Sequence, residues 1–205
     1  DAGIAEVARL LESADEEKRL VAFRALRSIA PEDVMEYAKK LAADPSTAIL
    51  REVIIAVADV AYAEKEDLLL RLAKAYDGTD RWYLEALGSA VQGRESEFYK
   101  KITELFNADA KPADEWGPEL AGLAWRLHPP ESVGALKVRA SSALLPDEDR
   151  SQAITALAFI NTTGAVQAMV DLSKNKNTSV AEQATYWLTF RQGNDWFALW
   201  DWKET

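Results

Sequence analysis

The sequence predicts an all-α protein, an α-α superhelix of about six helix pairs. Three observations carry that reading. Apolar residues recur three and four positions apart in about twelve windows, the spacing of one helix face. No convincing apolar/polar alternation marks a strand. The prolines and glycines fall mostly between the windows, where they start or stop helices.

The first helix spans roughly residues 3–12, with Ile4, Val7, Ala8 and Leu11 along one side. Ser13-Ala14-Asp15 turns the chain into a helix over 16–29, expected to bury Leu20, Phe23, Ala25, Leu26 and Ile29. Pro31 restarts a helix at an early position, where its missing N–H costs nothing. Val34, Tyr37, Ala38 and Leu41 continue it. Asp44-Pro45-Ser46 then leads into a helix over about 47–61, and a further one covers about 64–76. In Tyr76-Asp77-Gly78-Thr79-Asp80-Arg81-Trp82-Tyr83-Leu84-Glu85-Ala86-Leu87-Gly88, Gly78 suits a left-handed helix end. Thr79 or Asp80 can cap the next helix. Leu84 and Leu87 form its apolar stripe, which Trp82 and Ala86 are expected to widen.

A helix over 96–106 follows, and then the longest loop candidate, polar residues 107–115. Helical pattern resumes over 117–128 and stops at Pro129-Pro130. Small-residue helices are expected over about 131–144 and from Pro146 to Ile160. Thr162 and Asn177 lie in turns ahead of two more, and a short last helix is expected over 196–202.

Composition narrows the function. With no cysteine, thiol catalysis, cysteine-held zinc, c-type haem attachment and disulfides are excluded. The net charge of −10 is spread along the chain, which argues against nucleic acid as a partner. The most apolar stretch, 53–63, is too short to insert in a membrane. Asp1-Ala2-Gly3 is neither a start nor a signal peptide, so residues 1–205 are expected to be one repeat domain cut from a longer protein.

A period runs through the helices. Arg19, Arg51, Arg81, Glu119, Arg150 and Glu182 occupy matching places, 32, 30, 38, 31 and 32 residues apart. Asp15, Asp44, Asp80, Asp149 and Asn177 precede several of them in turns. Helix pairs at a period just above thirty indicate an α-solenoid whose repeats cover one another's apolar faces. The Asp–Arg arrangement resembles HEAT- or armadillo-like repeats, in which such residues tie one turn to the next. Arg81 is accordingly expected to pair with a carboxylate or helix-end carbonyl of an adjacent turn.

The stretch from Tyr76 to Gly88 also resembles the HEAT-type segment of bacterial multidomain haem-binding, membrane-bound dehydrogenase-like proteins. Trp187-Leu188 with Arg191, Asn194, Asp195 and Trp196 is similar to the end of that segment. The resemblance implies a non-catalytic interaction or spacer module in a larger periplasmic or otherwise extracytoplasmic oxidoreductase-like protein. Its partners would be neighbouring domains or a partner subunit. Any haem or redox chemistry would lie outside these residues.

No catalytic, cofactor-binding or metal-ligating set is expected. His128, the single histidine, has no carboxylates at ligand spacing and no nucleophile placed for it. It fits a helix C-terminus instead. Asp147, Glu148 and Asp149 lack the spacing and glycine of a calcium loop and suit a first helical turn. Asn161-Thr162-Thr163 and Asn177-Thr178-Ser179 match a glycosylation sequon but read as helix caps.

Seven tryptophans stand out. Asp80, Arg81 and Trp82 form one candidate interaction surface, and Trp116, Trp196, Trp200 and Trp202 extend the set. Residues 187–202 are expected to cap the last repeat, with Trp187 facing the core. Alternatively these aromatics grip a following domain or stack a sugar. A different class of reading is a small enzyme or ligand-binding domain with a pocket near Trp116–Trp125. A HEAT-type DNA-repair fold is disfavoured by the even negative charge.

Overall fold

The computed structural model describes residues 2–204, and all regular structure in them is helical. The chain divides into two compact units, Asp1–Gly93 and Arg94–Thr205. The first unit holds α1 (Ala2–Arg9), α2 (Glu16–Ile29), α3 (Val34–Leu41), α4 (Thr47–Ala56), α5 (Tyr62–Ala75) and α6 (Arg81–Ala90). The second holds α7 (Glu95–Leu105), α8 (Pro118–Leu127), α9 (Val133–Ser141), α10 (Asp147–Ala158), α11 (Thr163–Ser173) and α12 (Thr178–Gln192). Short 3-10 turns fill several of the gaps.

Local chemistry sets the helix starts. The side chains of Asp15, Ser46, Asp80, Thr162 and Asn177 each accept a hydrogen bond from an amide in the first turn of the helix that follows. Of the sequon at 161–163, Thr162 supplies the cap, while Asn161 accepts a bond from Arg191 Nη2 at 2.8 Å. Gly78 and Gly93 adopt φ of 80° and 79°, the left-handed region open to glycine.

Several expectations from the sequence need correction. The helix beginning at Thr47 stops at Ala56 rather than near 61, after the β-branched run Val53-Ile54-Ile55. Lys65 donates from Nζ to the Ala58 carbonyl and ties down the turn that follows. Burial lowers the pKa of this lysine, against the opposing effect of Asp59. Ile29, expected in the core, is half exposed, whereas Arg19 on the same helix is buried. The expected helix over 196–202 is instead two 3-10 turns, Phe197–Leu199 and Trp202–Glu204.

Within each unit the even-numbered helices pack in a row. In the first, α4 lies on both α2 and α6. In the second, α10 lies on both α8 and α12, and α9 packs on α11 to form another row. The second unit's core runs from Leu136 through Ile154, Leu157, Val166, Met169 and Leu188 to Trp196.

Candidate interaction surfaces

In the first unit, carboxylates ahead of one even-numbered helix receive arginines from the even-numbered helix before it. Arg19 on α2 forks onto Asp44, with Nε donating to Oδ2 at 2.6 Å and Nη2 to Oδ1 at 2.9 Å. Its Nη1 donates to the Ser13 carbonyl at 2.8 Å. Burial alone would raise the pKa of Asp44, but the Arg19 guanidinium and the Ser46 amide outweigh it and hold the carboxyl below its usual value. Arg51 on α4 donates to Asp80 Oδ2 at 3.0 Å, and Asp80 Oδ1 accepts the Tyr83 amide, also at 3.0 Å. One carboxylate thus starts α6 and ties α4 to it.

The ion pair seen for Arg81 lies within its own helix. The Arg81 side chain is 71% exposed and pairs at 3.3 Å with Glu85, one turn along. The inter-helix tie at this turn uses Arg51 and Asp80, and Arg81 stands on the outward side of the first turn of α6.

Trp82 departs from expectation. It is 72% exposed and does not widen the apolar stripe. The rotation of α6 is fixed by Tyr83, which is buried, donates from its hydroxyl to the Leu72 carbonyl at 2.8 Å, and stacks on Tyr76 at 5.8 Å. That burial pushes the Tyr83 phenol pKa upward. Adjacent helical residues lie about 100° apart, so burying Tyr83 turns Trp82 outward. There it lines a cleft of about 560 Å³ with Arg51, Ile55, Ala58, Glu85 and Ala86.

The second unit carries aromatic side chains on its even-numbered row. Tyr186 and Phe190 on α12 stack at 6.3 Å with ring planes 13° apart. Trp187 meets both of them edge-on and also Phe159, which follows the end of α10. Trp187 is half-buried against the core, so it serves the cap and this cluster together. Phe159, Tyr186 and Phe190 remain exposed. The cluster was readable in part, because Tyr186 and Phe190 are one helical turn apart with Trp187 between them.

The C-terminal tryptophans divide. Trp196 was a surface candidate, yet it is 0% exposed and belongs to the core. Its indole N–H donates to the Ile160 carbonyl at 3.1 Å, and the Arg191 guanidinium lies 5.9 Å from its ring centre. Trp200 and Trp202 are half-buried against the same core.

The loop over 107–115 is pinned rather than open. Arg139 Nη1 donates to the Ala113 carbonyl at 2.8 Å, and the Ser142 hydroxyl to Asp114 Oδ2 at 2.8 Å. Burial lowers the Arg139 pKa, and Asp149 and Asp114 act in the opposite direction. Trp116 is half-buried and donates to the Ala108 carbonyl at 3.2 Å. Trp125 lines an apolar cleft of about 240 Å³ with Arg126, His128, Thr155, Ala156 and Phe159, and Trp116 is not among its walls.

His128 ends α8 at φ 29°, with Nδ1 3.0 Å from the Trp125 carbonyl, so it closes a helix C-terminus as expected. The nearby hydroxyls are engaged elsewhere: Ser96 bonds Glu131, and Thr162 caps α11. His128 Nδ1 thus meets a backbone carbonyl, and its ring lies 6.3 Å from that of Phe159. No group of three or more His, Cys, Asp or Glu among the described residues is placed to hold a metal ion. No helix among them is long and apolar enough to cross a membrane.

No family model, curated protein or solved structure matches this chain.

Proposed function

We propose that the chain is a HEAT-like α-solenoid of six helix pairs acting as a non-catalytic protein-interaction module. The observation that carries the reading is where large apolar side chains meet water. Val21 and Ile29 on α2, Ile55 on α4, Trp82 on α6, Phe159 at the end of α10, and Tyr186 and Phe190 on α12 are all exposed. On the odd-numbered helices only Leu105 and Val138 are comparably exposed among the described residues. Exposed aromatic anchors in clefts are what protein partners bury at the centre of an interface. The partner is a neighbouring domain or a separate subunit. The setting, a larger extracytoplasmic oxidoreductase-like protein, rests on the resemblance at 76–88 and 187–196.

The solenoid part is supported by recurring long-range ties. Arg19–Asp44, Arg51–Asp80, Arg191–Asn161 and Gln183–Ser151 link residues 25, 29, 30 and 32 apart. A compact domain of this length has a radius of gyration of ~17 Å. Solution scattering is expected to give a value clearly above that; a value at ~17 Å would reject the solenoid.

The interaction part is tested by photocrosslinking in the native host, with benzoylphenylalanine placed at 82, 186, 105 or 138. Discrete protein adducts are expected from positions 82 and 186 and not from 105 or 138. Absence of adducts at all four, or the same adducts at all four, would reject it.

A further inference from the structure

Charge is partitioned within the first unit. Its even-numbered helices carry six Lys/Arg against four Glu, while the rest of residues 1–93 carries six against fourteen Asp/Glu. In the second unit the even-numbered helices carry three Lys/Arg against five acids. The turn carboxylates Asp15, Asp44 and Asp80 bring the first unit's row close to balance, six cations against seven acids, and its excess of cations is local, where Arg24 and Arg27 share one carboxylate.

The row is continuous. Arg24 and Arg27 on α2 both reach Glu52 on α4, at 2.7 and 3.7 Å. Two cations thus share one carboxylate, and Glu52 is the more buried member of each pair. Next to Glu52, Arg51 forms one wall of the Trp82 cleft, and Arg81 lies beside Trp82 on α6. The cleft walls between them are largely apolar, through Ile55, Ala58, Ala86 and Trp82. Its volume of about 560 Å³ lies within the usual range for a cleft that takes a ligand group.

We infer that the α2–α4–α6 face docks an acidic peptide segment carrying a bulky apolar side chain. The inference deepens the interaction reading above and rests on it. The apolar side chain enters between Trp82 and Ile55. Carboxylates on either side meet Arg24, Arg27 and Arg81, whose planar guanidinium groups offer paired donors to a carboxylate. At ~8 Å and beyond, physiological salt screens the acidic remainder of the chain, so the local arginines decide the sign of the contact. A basic segment would instead face four arginines that outnumber their three carboxylate partners, Glu52, Asp80 and Glu85.

The test uses the full chain, immobilised, in a selection from a random twelve-residue peptide library, with counter-selection on Trp82→Ala. The enriched peptides are expected to be net acidic with a Trp, Phe or Leu. The most enriched peptide is then titrated by fluorescence anisotropy. Trp82→Ala and the double variant Arg24→Gln/Arg27→Gln are each expected to weaken binding about tenfold or more. Leu144→Ala, exposed in the second unit, should leave binding unchanged. Enrichment of neutral or basic peptides, or none that depends on Trp82, would overturn the inference. If crosslinks form at 82 and 186 while the selected peptides are basic, the acidic assignment fails and the interaction module stands. If crosslinks are absent, the module itself fails.

Discussion

Replacing Arg19 with alanine is expected to lower the melting temperature by about 10 °C, the scale for stranding a buried ion-pair partner in a chain of this size. Asp44 would keep only its bond from the Ser46 amide and would stay buried with an uncompensated charge. Arg81→Ala removes an exposed pair within one helix and should cost less than about 3 °C. The difference should depend on pH in a defined direction. Asp44 titrates below its unfolded value of ~3.9. Its stabilising contribution is therefore present above about pH 4 and is lost as pH falls through the folded value. The gap between wild type and Arg19→Ala should close in acid. A gap that widens as pH falls, or equal losses for the two arginines, would show that the fork to Asp44 is not a principal tie.

Trp196→Ala should cost about 3–5 kcal/mol, the range for emptying a large aromatic site in a core. The side chain is fully buried, and its loss also leaves the Ile160 carbonyl without its indole donor. Trp196→Phe keeps part of the apolar volume and should lose about 2–3 kcal/mol, for the hydrogen bond and the smaller ring together. Denaturant titration followed by circular dichroism measures both. An alanine variant as stable as the wild type would mean that the second unit's core closes without Trp196.

What the sequence made legible follows the range of the interaction involved. The starts at Asp15, Ser46, Asp80 and Asn177 are set by bonds to amides two or three residues on. The sequence left Thr79 beside Asp80 as a cap and marked Asp15 and Ser46 only as turn residues, but the turns themselves read directly. The partner of Arg81 did not. Which carboxylate an arginine reaches depends on how neighbouring helices cross, and Arg51 was as plausible by spacing. Trp82 and Ile29 show the same limit, since each stands at the edge of an apolar stripe. A turn of the helix axis then decides burial, and Tyr83 takes the inward place on α6. Lys65 and Arg139 are buried cations that spacing alone does not mark, because each is satisfied by a carbonyl outside its own helix. Of the surface candidates, Trp82 was legible as a residue but its cleft was not, since Arg51 and Ile55 come from α4 and Ala58 from the turn after it, with α5 in between. The exposed cluster of Phe159, Tyr186 and Phe190 needed the packing of α10 beside α12 to be seen whole.

The shared use of carboxylates in the first unit has a kinetic consequence. Asp80 can receive Arg51 only once the turn that presents its second oxygen is in place, and that turn is held by the cap on α6. Asp44, whose Oδ1 also takes the Ser46 amide, stands in the same relation to Arg19 and the start of α4. Each helix nucleus is costly alone, because several dihedrals are fixed for one bond. Here a nucleus gains its long-range partner from the even-numbered helix before it at the moment it forms. Order should therefore spread from one even-numbered helix to the next, so that amide protection during refolding appears in contiguous steps rather than at scattered sites.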